Sequence, residues 1–304
     1  MLKKNWKLER DYFNKLNRGS EILEIKLASK TDKQKTFNLI FNGVTLLRIE
    51  RKKISRTNKK LLEWAHTRGD LVTKKSQNNF RRILELNKQI TDEINSDSSK
   101  PNQTPDKFDD VLQHLQRRKQ GIEEIQQNFK IDFIKKDKIG YCGRCNCFRQ
   151  TGDLTAAATT RIPCPFCSSP ITMRAYHSLP PKTERFLGGT WFEEYIAKRL
   201  HTLGWTTFTD IYVYGNSGAK FEIDILAAKN GRTLLVECKT GPTGLTKLSS
   251  FIAKFSQIRT TSAAFITLEK MNEDDQRVAE AIGQLKLIEG VNSERGLLRR
   301  LKQL

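Results

Sequence analysis

Apolar residues recur with two different periods along the 304-residue chain, and the changes between them mark out three regions. In "TFNLIFNGVTLLRIE" apolar positions alternate on both sides of Asn42-Gly43, a dipeptide suited to a two-residue turn, which predicts a hairpin. "KKNWKLERDYFNKL", "NNFRRILELNKQITDEI" and "KFDDVLQHLQRRKQGIEEIQQNF" carry apolar residues at helical spacing. The last two are separated by "NSDSSKPNQTPD", a polar stretch with two prolines that reads as a linker. Residues 1–138 are therefore expected to be mainly helical with one hairpin. Beyond residue 181 the patterns alternate. "TWFEEYIAKRLHTLG" predicts a helix ending at Gly204, "WTTFTDIYVYG" a strand, and "FEIDILAAKNGRTLLVECKTG" a second hairpin. "LTKLSSFIAKFSQIRTT" predicts a helix, "SAAFITLE" a strand and "DDQRVAEAIGQL" a helix. Helices flanking a mixed sheet place residues 181–304 in the α/β class. Residues 139–180, between these regions, hold most of the cysteines.

The second hairpin carries more charge than a buried one should. If Asn230-Gly231 forms a type I′ turn, Lys229 faces Arg232, and counting back sets Asp224 opposite Glu237 and Glu222 opposite Lys239. Side chains alternate across a strand, so these four charged residues share one face, while Ile223, Ile225, Leu234, Val236 and Cys238 share the other. Like charges directly opposed are destabilising. A divalent cation between Asp224 and Glu237 would remove that cost, since Mg²⁺ favours one or two carboxylates together with water and phosphate oxygens. The alternative is a solvated face with a Glu222–Lys239 ion pair. Cys238 points the other way and is expected to be a buried thiol without a catalytic role.

Composition narrows the partners. The formal net charge of +20 points to a polyanion, most commonly nucleic acid, with a surface tuned for solubility as the alternative. The stretch from Arg51 to Lys60 concentrates six basic side chains without an acid. Arg51, Lys52, Lys53, Arg56, Lys59 and Lys60 are the candidate phosphate contacts, against the reading of a solvated loop. Trp64 and Phe80 are expected in the core. No apolar run is long enough to span a membrane, and the basic N-terminus lacks the apolar segment of a signal peptide. An intracellular, cytoplasmic protein is expected, nucleoid-associated if bacterial.

Five of the six cysteines fall between residues 142 and 167. "CGRC" and "CPFC" place Cys142, Cys145, Cys164 and Cys167 as two C-x2-C pairs eighteen residues apart, the spacing of a four-thiolate structural zinc site. Such a full shell leaves no open position for zinc catalysis. Cys147 is a spare thiol and an alternative ligand. Arg144, Arg149, Arg161 and Arg174 are basic residues through which this zinc ribbon could grip nucleic acid.

"FEID" followed by "VECKTG" resembles the PD-(D/E)xK nuclease superfamily, and with "GGTWFEEYI" it is most similar to the nuclease half of CRISPR-ancillary effectors and to Mrr-type endonucleases. The resemblance covers about residues 186–270. It departs from the superfamily pattern at Ile223, where the motif usually has proline. No nucleotide-sensing domain is evident in residues 1–138, so regulation by a cyclic oligonucleotide is not expected. The resemblance implies a restriction-endonuclease-like fold, with Asp224 and Glu237 binding Mg²⁺ or Mn²⁺ and Lys239 assisting the attacking water. It also implies an acid from the preceding helix. Phe192, Ile196, Leu200 and Leu203 define that helix's apolar stripe; Glu193 lies at the stripe's edge and is the expected third carboxylate, with Glu194 solvated on the far side. On the following helix, Gln257 is the candidate polar residue facing the site and Lys254 a candidate phosphate contact. The expected activity is metal-dependent phosphodiester hydrolysis, most naturally in DNA. A structure-selective junction or flap nuclease, an RNase of the same fold, and a catalytically inactive nucleic-acid-binding module remain alternatives. A homodimer or larger assembly is compatible with cutting both strands.

Overall fold

The computed structural model describes residues 23–30, 35–41, 44–51, 59–97, 135–150, 162–258 and 260–304, with isolated helical positions at 113, 123 and 127. The helix expected over "KKNWKLERDYFNKL", the Asn42-Gly43 turn, the basic run between Arg51 and Lys59, and nearly all of the linker expected over 95–106 and the helix expected over 107–129 lie outside the described residues. The chain divides into two compact units, residues 1–74 with 189–304, and residues 75–188.

The first unit is built on an eight-stranded sheet. Three N-terminal strands, β1 (Leu23–Lys30), β2 (Lys35–Phe41) and β3 (Val44–Arg51), form an antiparallel meander. Alongside helix α1 (Lys59–Thr67) and the helix expected over "NNFRRILELNKQITDEI", α2 (Lys74–Asp97), the N-terminal region thus contributes three strands rather than a lone hairpin. β3 pairs with β7 (Thr206–Tyr214), which carries the meander into a sheet continued by β8 (Lys220–Lys229), β9 (Arg232–Lys239), β10 (Ser262–Thr267) and β11 (Leu285–Ile288). Pairing is antiparallel from β1 to β9 and parallel from β9 to β11. A parallel neighbour needs a long crossover, and helices α5 (Leu245–Gln257) and α6 (Glu273–Glu280) supply those after β9 and β10. β9 is central, and six of its eight residues, Thr233 to Cys238, are buried, the pattern of a strand covered on both faces.

Helix α4 (Trp191–Thr202) packs on β7, β8 and β9 and buries Trp191, Phe192, Tyr195, Ile196, Ala197 and Leu200. α5 adds Leu248 and Phe251 to a core with Leu226, Leu235 and Phe265, the two phenylalanine rings lying 5.6 Å apart. Asn272 caps α6 by accepting from the Asp275 N–H at 2.8 Å, and Ser293 caps α7 (Glu294–Leu301) by accepting from the Gly296 N–H. Arg199 on α4 ties several pieces together. Its guanidinium lies 2.6 Å from Glu294, donates to the carbonyls of His66 and Arg68, and stacks 4.5 Å from the Tyr195 ring centroid.

The second unit contains most of α2 and a three-stranded antiparallel sheet of β4 (Lys135–Cys142), β5 (Cys147–Gln150) and β6 (Thr172–Ser178), followed by the short helix α3 (Pro181–Arg185). Within it, the buried Asn87 on α2 accepts from the Leu179 N–H at 3.2 Å. Trp64 and Phe80, each in its own unit, are buried as expected.

Candidate active site

Asn230 and Gly231 both have positive φ, 49° and 71°, as a type I′ turn requires, and Lys229 faces Arg232. The counted register holds through Ile225 opposite Val236, where pairing between β8 and β9 ends. β8 continues along β7 to Lys220, and β9 continues along β10 to Lys239. The two strands therefore part at Asp224 and Glu237, and the opposition expected between Glu222 and Lys239 is not part of the ladder. Asp224 Oδ2 accepts the Cys238 N–H at 2.8 Å, so the carboxylate replaces the missing strand partner.

Charges gather in this opening. Lys239 Nζ lies 2.5 Å from Glu237 Oε1 and 3.7 Å from Asp224 Oδ2. Lys254 reaches from α5 to within 3.1 Å of Glu237 Oε2, so each Glu237 oxygen has its own ammonium. Burial, and then the negative charge of Glu237, push the Asp224 carboxyl above its ordinary value; Lys239, the Cys238 N–H and Lys254 pull back. Burial opposes the charge on Lys239, but Asp224 and Glu237 outweigh it and raise the lysine above its usual range. Lys239 is therefore a fixed cation and hydrogen-bond donor at neutral pH. Cys238 is buried, and burial, with the charge of Asp224 next, holds its thiol well above the usual value.

The remaining candidates are distributed around this core. Glu193 lies in the first turn of α4, where its charge reaches the Cys238 thiol. Among the described residues, the cysteines are the only group of three or more potential ligand side chains gathered this closely without an ion. Glu194 differs from the solvated position expected: its Oε1 accepts from Thr209 Oγ1 at 2.9 Å and its Oε2 lies 3.5 Å from His66 Nε2. α1 covers that side of α4, which the helix's own pattern could not reveal. Gln257 ends α5 beside the β7–β8 turn, where its carbonyl accepts from the Asn216 N–H at 2.8 Å. Lys254, one turn earlier, is the α5 residue that meets the carboxylates. Two carboxylates with hard oxygen donors at one opening suit a divalent cation such as Mg²⁺ or Mn²⁺.

In the second unit the sulfurs of Cys142, Cys145, Cys164 and Cys167 lie within 4.8 Å of one another. Each C-x2-C turn is followed by a residue with positive φ, Asn146 at 46° and Ser168 at 57°, which folds the chain back so that both thiols point inward. The second turn is closed by Ser168 N–H to the Cys164 carbonyl at 2.8 Å and Cys164 N–H to the Ser169 carbonyl at 2.7 Å. Burial opposes ionisation of Cys164, yet hydrogen bonds from the N–H groups of Phe166 and Cys167, joined by the neighbouring thiols, bring it down to about 6. Four thiols with one already inclined to ionise fit a zinc ribbon. Arg144 is exposed on the first turn. Arg161 lies outside the described residues.

Residues 186–293 match the family model Mrr_cat, described as a restriction endonuclease. No curated protein matches the chain. Among solved structures, a protein of unknown function, AF1548, is 26% identical over 33% of this chain and 57% of its own, with a TM-score of 0.30. Protein VC1899 from Vibrio cholerae is 14% identical over 84% of this chain and 57% of its own, with a TM-score of 0.46. The chain thus spans just over half the length of both solved chains. Among the described residues, no helix is long and apolar enough to cross a membrane.

Proposed function

With residues 186–293 forming a restriction-endonuclease-like nuclease domain, we propose that the protein is a divalent-cation-dependent endonuclease acting on DNA. The observation that carries this reading is the gathering of Asp224, Glu237 and Lys239 where the β8–β9 ladder opens. Asp224 and Glu237 would hold the cation, Mg²⁺ or Mn²⁺. When bound, it would supply Lewis-acid stabilisation of the negative charge that develops on the scissile phosphate. Lys239 stays protonated and donates to the attacking water or to a phosphate oxygen. It does not act as the general base. Lys254, which pairs with Glu237, would be a contact for the phosphate beside the cation. Glu193 adds a negative field behind the pair. The family description and the net charge of +20 support DNA as the substrate. Arg51, Lys52, Lys53, Arg56, Lys59 and Lys60 supply further phosphate contacts, and the cysteine ribbon carries structural zinc.

The test is cleavage of labelled single- and double-stranded DNA and single-stranded RNA with Mg²⁺, with Mn²⁺ or with chelator. Wild type is compared with Asp224→Asn and Lys239→Ala. Metal-dependent cutting of DNA, lost in both folded variants, is the expected result. Cutting of RNA alone would reassign the substrate. Binding without cutting under every condition would overturn the enzymatic reading.

A further inference from the structure

The cysteine cluster holds one sulfur more than a zinc ion needs. Cys147 Sγ lies 3.3 Å from Cys145 Sγ and 3.7 Å from Cys164 Sγ, and Cys145 and Cys164 are 3.4 Å apart. Ligands on one tetrahedral zinc, with Zn–S near 2.3 Å, stand about 3.8 Å from each other. Cys147 therefore sits at ligand spacing from two of the four expected ligands. It is also the cross-strand partner of a third, Cys142. Burial separates the five thiols further. Cys142, Cys145, Cys147 and Cys164 are all at most 6% exposed, and Cys147 is wholly buried. Cys167, an expected ligand, is the half-exposed member, and its sulfur approaches Cys142 at 3.4 Å.

The chain explains the crowding. Cys145-Asn146-Cys147 turns through the positive φ of Asn146, so the thiols on either side of it point into the same space. A small apolar residue at 147 would serve the packing around Ile171 equally well. What such a residue could not do is keep a third sulfur within 3.7 Å of both Cys145 and Cys164.

We propose that Cys147 is an exchangeable fifth ligand, and that the ribbon holds its metal in two four-thiolate states: Cys142, Cys145 and Cys164 with either Cys167 or Cys147. In the exchange the Cys147 thiol gives up its proton and takes the metal, while the Cys167 sulfur leaves the metal and is protonated, so no net proton is released. The site then carries a surface thiol, Cys167, that an electrophile can alkylate without ejecting the metal. This inference rests on the cysteines being a metal site and is independent of the nuclease reading.

The test uses the full chain loaded with Zn²⁺, and with Co²⁺ as a spectroscopic probe. Cys167→Ser and Cys147→Val are each expected to keep one metal per chain with the cobalt charge-transfer intensity of four thiolates, and the double variant to lose it. Iodoacetamide is expected to alkylate Cys167 in the wild type with zinc retained, and to release zinc from Cys147→Val. A Cys167→Ser chain that holds no metal, folded or not, overturns the proposal, because Cys147 is then not a substitute ligand. So does a three-thiolate cobalt spectrum, or zinc release on alkylation of the wild type. A wild-type chain that binds neither metal overturns the metal site itself.

Discussion

Lys254→Met removes one of the two ammonium groups on Glu237 while keeping an unbranched side chain of similar reach for α5. In the metal-free chain that ammonium stands 3.1 Å from Glu237 Oε2. A divalent cation bound to the same carboxylate would stand roughly 5 Å from it, where the repulsion is about 6–7 kcal/mol at an effective dielectric of about 20 and under 2 kcal/mol in water. The lysine is about a quarter exposed and can swing out, so most of that repulsion is relieved by movement and screening. A residual cost of about 1–2 kcal/mol, counting the lost Lys254–Glu237 pair, corresponds to about a tenfold change in affinity. The variant is therefore expected to bind Mn²⁺ about tenfold more tightly in calorimetric titrations without nucleic acid. Lys254 also lowers the Asp224 pKa, so its loss should move the acidic limb of metal binding to higher pH. Unchanged or weaker Mn²⁺ affinity would refute the argument that Lys254 competes with the cation.

Three other outcomes follow from contacts elsewhere in the first unit. Arg199→Ala removes the 2.6 Å partner of Glu294 and the Arg199 donors to the His66 and Arg68 carbonyls, and should cost about 1–3 kcal/mol in urea unfolding; under 0.5 kcal/mol would show the tie to be idle. Glu194→Ala and Thr209→Val should each destabilise by about 1 kcal/mol, and together by less than the sum, because they share one hydrogen bond. Strict additivity in the double-mutant cycle would contradict that. Asp224 ionises later in the folded chain than in the unfolded one, so its contribution to stability is full below the ordinary carboxylate pKa and is lost as pH rises through the raised folded value. Asp224→Asn removes that loss. Without added divalent cation its melting temperature at pH 7 should exceed that of the wild type, and a lower one would contradict the assigned pKa direction.

The hairpin was the most legible part of the sequence, because its geometry is local. A two-residue Asn-Gly turn fixes the register, and the register fixes which side chains share a face. The strands β1 to β3 joined the sheet through three pairs, Ile49–Val213, Glu50–Tyr212 and Arg51–Ile211, separated by some 160 positions in the chain. No periodicity encodes such a partner. β11 has four residues, too few to establish a period. Glu194 faced away from the apolar stripe of α4, which normally means solvent, but α1 occupies that side. Gln257 and Lys254 lie three residues apart, on one helix face, so the pattern could not choose between them. The structure brings the Lys254 ammonium to within 3.1 Å of Glu237 Oε2.

The opening of the ladder also determines how the acid must be tested. Counting from the turn sets Asp224 and Glu237 directly opposite, and the chain avoids that contact by ending the β8–β9 pairing one step earlier. The Cys238 N–H then has no strand partner on that side, and Asp224 Oδ2 takes its place. Asp224 thus has a structural duty separable from its charge. Asp224→Ala removes both and leaves a part-buried donor unsatisfied, which should cost about 1–3 kcal/mol. Asp224→Asn keeps an acceptor for Cys238 and removes only the charge. If the alanine variant unfolds at lower urea than the asparagine variant while both fail to cut, the loss of cutting belongs to the carboxylate's charge. If both variants unfold at the same urea concentration, the Asp224–Cys238 hydrogen bond does not hold the strands at the opening.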